Sequence, residues 1–315
     1  MRIAIFGVGG AGGYVGARLA QAGEEIGWIA RGAQLDALRS RGLRVESVHG
    51  DFTLGPLRAT ADPAEVGRVD AVILGVKVWQ IRDAARAMGP LIGPDTCVLP
   101  LQNGVEAADD LRSVLGPGPP LGGVAKILSF LVAPGHIRHV GGPSSIALAE
   151  LDDRPSERVE RLRATLRAAG IVVEVPTSIQ PAIWEKFLFV ASLGGVGSVS
   201  RAPIGIVRSV PQTRALLEEA MREIRDLAQA RGVRLADDVV ARSLALVDEQ
   251  PAEGTTSLQR DLAAGRRSEL EWWSGAVARL GAESRVPAPV HRFIYQSLLP
   301  SELRASGRLE YPPGS

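Results

Sequence analysis

Cysteine, lysine and asparagine are almost missing from this chain. Its 315 residues include one cysteine, Cys97, so no disulfide can close within the chain and nothing points to an oxidising compartment. Cys97 sits in Thr96-Cys97-Val98-Leu99, which reads as a buried strand where a thiol serves as a small hydrophobe. Excess charge is also missing. The formal net charge is +1 and the arginines are scattered, so there is no electrostatic case for nucleic acid or an anionic membrane as a partner. Long hydrophobic runs are absent too. The longest, Phe187 to Val199, is shorter than the ~20 residues of a spanning helix, and Ile3-Ala4-Ile5-Phe6 breaks into glycines too soon for a signal sequence. A cytoplasmic protein without membrane partners is expected. Metal chemistry finds little support: His136 and His139, three apart in a predicted strand, point to opposite faces, and His49 and His291 have no evident partners.

What is present is an ordinary globular composition, 45% hydrophobic and 23% charged, in a chain long enough for two domains of roughly 100–200 residues. The first half alternates short apolar runs with helical patterns: Arg2–Phe6, Glu25–Ala30, Ala71–Val76 and Thr96–Leu101. That alternation predicts a parallel sheet with helices on both faces. The helix from Tyr14 ends at Ala22, before Gly23. Further strands are predicted at Gly122–Val132, Gly135–His139, Ser145–Ala149 and Ile171–Glu174, with a turn at Pro134-Gly135 and a helix over Pro155–Ala169. From Thr177 strand signals stop. Helical periods follow at Ile179–Val199, Val210–Arg231, Ala236–Glu249, Ser257–Leu262 and Glu269–Leu280, and the tail Tyr311–Ser315 reads as frayed. The expected architecture is α/β: a Rossmann-type dinucleotide-binding domain over 1–176 and a helical substrate and catalytic domain over 177–315.

Gly7-Val8-Gly9-Gly10-Ala11-Gly12 follows a strand and opens a helix, the context in which this pattern signifies dinucleotide binding. Gly7 permits the tight turn, Gly9 lets the backbone approach a pyrophosphate, and Gly12 allows helix to pack on strand. The phosphates would sit on the helix N-terminus. An NAD site places Asp or Glu after the second strand; this chain has Arg31, whose guanidinium suits a 2′-phosphate. The expected cofactor is therefore NADPH/NADP⁺. Only three lysines stand against 33 arginines, and Asn103 is the sole asparagine. Lys77 and Asn103 each follow a parallel strand, where open α/β sheets bind ligands. Lys126 has no comparable placement, and Lys186 lies on the first helix of the second half.

Taken in order, Gly7-x-Gly9-x-x-Gly12, Arg31-Gly32, Lys77-Val78-Trp79-Gln80, Gln102-Asn103-Gly104-Val105, Trp184-Glu185-Lys186, and Ser257 with Glu269 resemble the landmarks of the ketopantoate reductase family over almost the whole chain. The resemblance implies NADPH-dependent reduction of a 2-oxo acid, 2-dehydropantoate, to pantoate in pantothenate biosynthesis. It implies Lys186 as general acid and Glu269 as a carboxylate that holds and tunes it or contacts the substrate, with Glu271 a close neighbour. Asn103 would bind cofactor ribose and substrate, Lys77 would lie along the cofactor, and Ser257 would bond the substrate carboxylate, serve as a helix N-cap, or do both. Because hydride transfer builds negative charge on the carbonyl oxygen, an ammonium serves as both donor and proton source. The family's second domain often mediates dimers, which points to a homodimer.

The chain departs from the family on one helical face. The family carries asparagines four and eight residues after the lysine; here those positions are Val190 and Gly194, with Ser192 and Ser198 off that face. Such amides hold a substrate hydroxyl, so their absence predicts an apolar and roomier wall and a 2-oxo acid with a less polar, bulkier tail. Trp272-Trp273, beside Glu269 and Glu271, is expected to pack or to join a dimer contact, with lining of the cleft between domains as the alternative. Two alternatives stay open: reduction of another carbonyl, as in 3-hydroxyacid or 6-phosphogluconate enzymes, and a non-catalytic NADPH-binding sensor.

Overall fold

The computed structural model describes residues 1–142 and 144–312, so the predicted tail lies partly outside the described residues. The chain divides into two units, Met1–Ala182 and Ile183–Ser315.

The first unit is built on β1 (Arg2–Phe6), α1 (Gly10–Gln21), β2 (Glu25–Ile29), α2 (Gly32–Ser40), β3 (Leu43–Ser47), β4 (Phe52–Leu54), β5 (Ala59–Thr60), β6 (Ala71–Leu74), α3 (Ile81–Ala87), β7 (Cys97–Pro100) and α4 (Ala107–Leu115). Five of these strands form a parallel sheet in the order β5-β2-β1-β6-β7. In β1, β6 and β7 nearly every residue is buried, because helices cover both faces of a parallel sheet. Strand order reverses at β1. That reversal creates a switch point, and the carboxyl ends of β1, β2, β6 and β7 are where such sheets bind ligands. This is the Rossmann-type domain that the alternating pattern predicts.

The rest of the unit comprises β8 (Gly122–Lys126), β9 (Ser129–Ala133), β10 (His136–His139), β11 (Ser145–Ala149), α5 (Glu157–Ala168) and β12 (Val172–Glu174). The single strand predicted over Gly122–Val132 is two, broken at Ile127-Leu128: β8 pairs with β11, and β9 pairs with β10 across the turn at Gly135. A second sheet, β4-β3-β10-β9, goes unannounced in the sequence. Its strands are short, and β3 finds its parallel partner β10 some ninety residues on. The histidine reading needs correction here as well. His49 is not isolated: its ring lies 5.5 Å from that of His139. His139 is buried, stacks on Tyr14 at 4.3 Å and bonds Ser47 and Ser144 through its two nitrogens. Among the described residues no three metal-ligating side chains gather.

The second unit is helical: α6 (Ile179–Ser200), which begins in the first unit, then α7 (Ile204–Ser209), α8 (Pro211–Ala230), α9 (Val239–Glu249), α10 (Ser257–Ala263), α11 (Ser274–Ser284) and α12 (Pro289–Ala305). At 22 residues α6 is longer than its apolar run predicts, and by length and composition it could cross a membrane. Ala191 through Ser198 are instead all buried within the protein, which makes α6 the core helix of this unit. α7 and α12 are not legible in the sequence. Pro300 interrupts the pattern of α12, and a proline normally reads as a helix boundary.

Candidate functional site

At the end of β1 the backbone turns sharply. Gly7 takes φ +97°, and its N–H donates to the Ile29 carbonyl at 3.0 Å. A Cβ on Gly7 would stand 2.7 Å from the Val76 nitrogen, and one on Gly12 would stand 2.4 Å from the Gly7 oxygen. The chain itself forbids side chains at both positions. A third glycine completes the contact: a Cβ on Gly75, after β6, would lie 2.6 Å from the Gly7 oxygen and 2.8 Å from the Gly12 Cα. Gly75 carries no motif of its own; its signal is only a glycine ending an apolar strand. Gly9 differs. A Cβ there would meet nothing nearer than the Gly75 oxygen at 3.7 Å, so the protein leaves the space beside Gly9 open.

Around this turn stand the other residues singled out in the first unit. Arg31 is the N-cap of α2, exposed, with extended backbone and no side-chain hydrogen bond or ion pair among the described residues. Gln34, one turn on, fastens α2 to the turn: its amide donates to the Val8 carbonyl at 2.9 Å, and its oxygen accepts from Gly135 N–H at 2.8 Å. Lys77 is exposed just past β6, with its Nζ 5.7 Å from the Trp79 ring centroid, and its N–H donates to Gln80 Oε1. Asn103 is half-buried beyond β7. Its neighbour Gln102 holds that loop to the end of β6, donating to Leu74 O at 3.0 Å and Val76 O at 2.8 Å. Lys126 has a structural use: its Nζ meets both Glu174 carboxylate oxygens at 3.0 Å. Burial pushes the Cys97 thiol up to about 11, so it is no nucleophile.

In the second unit, Lys186 is half-buried on α6 between Glu185, which pairs with Arg242 at 3.3 Å, and the buried Phe187. Val190 is half-buried one turn on, and Gly194 is buried after a second turn. The expected room beside Gly194 is not there. A Cβ built on Gly194 would lie 2.6 Å from Trp273 Cζ3 and 3.3 Å from Thr256 Oγ1; the indole fills the volume a side chain would take. Three stretches far apart in sequence thus meet at one point: the helix of Lys186, the start of α10 beside Ser257, and the corner four residues beyond Glu269.

That corner and α10 correct two further expectations. The N-cap of α10 is Thr256, not Ser257: its hydroxyl accepts from Gln259 N–H at 3.3 Å while Gln259 Oε1 accepts from Thr256 N–H at 3.0 Å. The half-buried Ser257 hydroxyl therefore has no capping duty, and it makes no hydrogen bond among the described residues. Glu269 does not lie on a helix but caps the short 3₁₀ turn Leu270–Trp272. The segment before it is clamped by Glu302, buried on α12, whose Oε2 accepts from Ser268 N–H at 2.9 Å and Ser268 hydroxyl at 2.6 Å. Glu271 is turned elsewhere, accepting from the Tyr295 hydroxyl at 2.5 Å. Ser192 is buried with its hydroxyl unpartnered, and Ser198 donates to Gly194 O at 2.6 Å. Sequence reasoning missed Glu302 and gave Trp273 no place at Gly194, since neither contact has a local signature.

Known proteins match along both units. The family model described as Ketopantoate reductase PanE/ApbA matches residues 3–153, and Ketopantoate reductase PanE/ApbA C terminal matches residues 178–301. A 2-dehydropantoate 2-reductase of Mesorhizobium japonicum is 32% identical over 92% of this chain and 94% of its own. The crystal structure of a PanE/ApbA family ketopantoate reductase from Ralstonia eutropha JMP134 superposes with a TM-score of 0.88 at 32% identity, covering 97% of this chain and all of the other. That of 2-dehydropantoate 2-reductase from Geobacter metallireducens GS-15 gives 0.88 at 30% identity, over 95% and 99%. With a switch-point sheet followed by a helical unit in which the lysine helix, α10 and the Glu269 corner converge, this chain belongs to the ketopantoate reductase family and is an oxidoreductase.

Proposed function

We propose that this protein reduces a 2-oxo acid to a 2-hydroxy acid with NADPH. The observation that carries the reading is the convergence at Gly194, which gathers the helix of Lys186, the segment of Ser257 and the segment of Glu269 in one unit. Residues 1–176 bind the cofactor. Its pyrophosphate lies over Gly9, where a side chain would be tolerated by the protein and so is excluded by the ligand. Its 2′-phosphate meets Arg31, a guanidinium with no partner of its own among the described residues. Lys77 and Asn103 contact the remainder from the ends of β6 and β7.

Residues 177–315 act on the substrate. As hydride arrives at C2, charge gathers on the carbonyl oxygen. Lys186 neutralises it and delivers the proton, leaving the 2-hydroxy acid and NADP⁺. Glu269, its backbone fixed by the Ser268–Glu302 clamp, holds the ammonium in place, and the uncommitted Ser257 hydroxyl donates to the substrate carboxylate. Val190 and Gly194 supply no amide on the face beyond Lys186, so the substrate is a 2-oxo acid other than 2-dehydropantoate. The test is NADPH consumption against a panel of 2-oxo acids that includes 2-dehydropantoate. Turnover is expected on several, with a kcat/KM for 2-dehydropantoate below the ordinary ~10⁴–10⁸ M⁻¹s⁻¹ range; tight NADPH binding without turnover on any of them overturns the reading in favour of a sensor.

A further inference from the structure

Val8 stands between two glycines of the turn after β1, and its carbonyl is held by a residue of another element. Gln34, half-buried in the first turn of α2, donates an amide N–H to Val8 O at 2.9 Å and accepts from Gly135 N–H at 2.8 Å. The Val8 carbonyl can only accept and the Gly135 N–H can only donate, so the side chain between them must offer one donor and one acceptor. A neutral amide does so; a carboxylate only accepts. Gly135 makes the turn between β9 and β10, and this hairpin lies on α1. A Cβ on Gly10 would stand 2.5 Å from the Ser129 oxygen, and one on Gly13 would stand 2.3 Å from Ile137 Cδ1. Gln34 therefore ties together three parts of the first unit: the turn after β1, the helix that Arg31 caps, and the hairpin.

The bond to Val8 has a consequence for the next residue. The Val8–Gly9 peptide is trans, and in a trans peptide the carbonyl and the following N–H point to opposite sides. Holding Val8 O toward α2 turns the Gly9 N–H away from it. That N–H has no protein partner among the described residues, and the space beside Gly9 is open, with nothing nearer than 3.7 Å to a Cβ there. Glycine accepts either sign of φ, so Gly9 alone leaves the plane of this peptide loosely set. On the reading of this turn as the cofactor's phosphate site, we propose that Gln34 is its positioning residue: by holding Val8 O it presents the Gly9 N–H to the pyrophosphate. The pyrophosphate is common to NADPH and NADH, whereas the 2′-phosphate assigned to Arg31 is not. Gln34 thus acts on both cofactors alike, and Arg31 on one.

Two variants separate this role from simple loss of packing. Gln34→Met keeps the length of the side chain and removes both bonds; NADPH and NADH, titrated by cofactor fluorescence, should each bind roughly tenfold more weakly, the effect of losing one hydrogen bond to a charged group. Gln34→Glu sets a second acceptor against Val8 O while it is ionised, and regains one donor and one acceptor once protonated. Its NADP⁺ affinity, compared with wild type at the same pH by calorimetry, should be down about tenfold at pH 8 and return to within about threefold of wild type at pH 5. Gln34→Met should show no such recovery. Circular dichroism at both pH values reports the fold, and should the Met variant not fold, the reversible pH response of the Glu variant decides alone. The positioning role is overturned if Gln34→Met binds both cofactors as wild type does, if the weakening is confined to NADPH, or if Gln34→Glu fails to recover. Recovery that stops at the level of Gln34→Met reflects relief of charge repulsion alone and overturns it too. Wild-type protein that binds neither dinucleotide fails the underlying reading instead, and this role with it.

Discussion

Glycines shape both the turn after β1 and the middle of α6, but for different reasons. At the turn, Gly7, Gly12 and Gly75 are demanded by one another's main chain, with every forbidden contact made to backbone atoms or to a neighbouring strand end. In α6, Gly194 is demanded by a side chain, the indole of Trp273, which arrives from almost eighty residues further along. The first arrangement is written in backbone geometry. A side chain at any of these three positions would collide with that main chain. The second is written in side chains, so an exchange of Trp273 would open the space beside Gly194.

The largest effect that sharpens this contrast belongs to Lys186. Lys186→Ala should lower kcat by about 10²–10⁴-fold, the usual contribution of a positioned acid, while NADPH affinity measured by fluorescence titration stays within a factor of two or so of wild type. A comparable loss of NADPH binding would break the division of labour. Next comes the histidine that anchors the Trp273 corner, its Nδ1 lying 3.2 Å from the Ser274 hydroxyl. His291 is fully buried, and burial pushes its imidazole down to about 4. A histidine depressed in the folded state is neutral there while the unfolded chain takes up a proton. Stability is therefore complete above about pH 6.5 and is lost as pH falls toward 4, by about 3 kcal/mol at the lower end. Glu223, raised by its own burial, works in the opposite direction over part of that window. Urea unfolding at pH 7 and pH 5 should show the decline, and His291→Gln should flatten it; an unchanged slope in that variant would assign the acid sensitivity elsewhere.

Arg31 gives the smallest effect and tests the first region. Arg31→Ala should weaken NADPH binding roughly tenfold to fiftyfold, as expected for loss of a charge-assisted contact, and leave NADH binding nearly unchanged. Equal weakening of both cofactors would remove Arg31 from the 2′-phosphate.

Much of the first unit is legible because its signals are local. A strand, a glycine turn and a helix lie within the first two dozen residues, and the residues after β2, β6 and β7 are marked by their rarity or their position. The second sheet is less legible. β3 is five residues long and meets β10 only after the chain has folded back. In the second unit Lys186 stands out through the scarcity of lysine, yet the helical pattern misplaces Glu269 on a helix and Ser257 at a cap that belongs to Thr256. Glu302 could not be found at all, since a glutamate two residues from a helix proline looks like any solvated residue until Ser268 is brought to it.

The sequence by itself determined the parallel sheet, the turn at Gly7, the helical second half and the presence of a solitary lysine on its first helix, because each follows from periodicity or steric need over a few neighbouring residues. The tertiary structure alone decided what lies beside that lysine's helix. Whether a glycine leaves a cavity or receives a tryptophan depends on how distant helices pack, and no local rule of propensity or spacing carries that information.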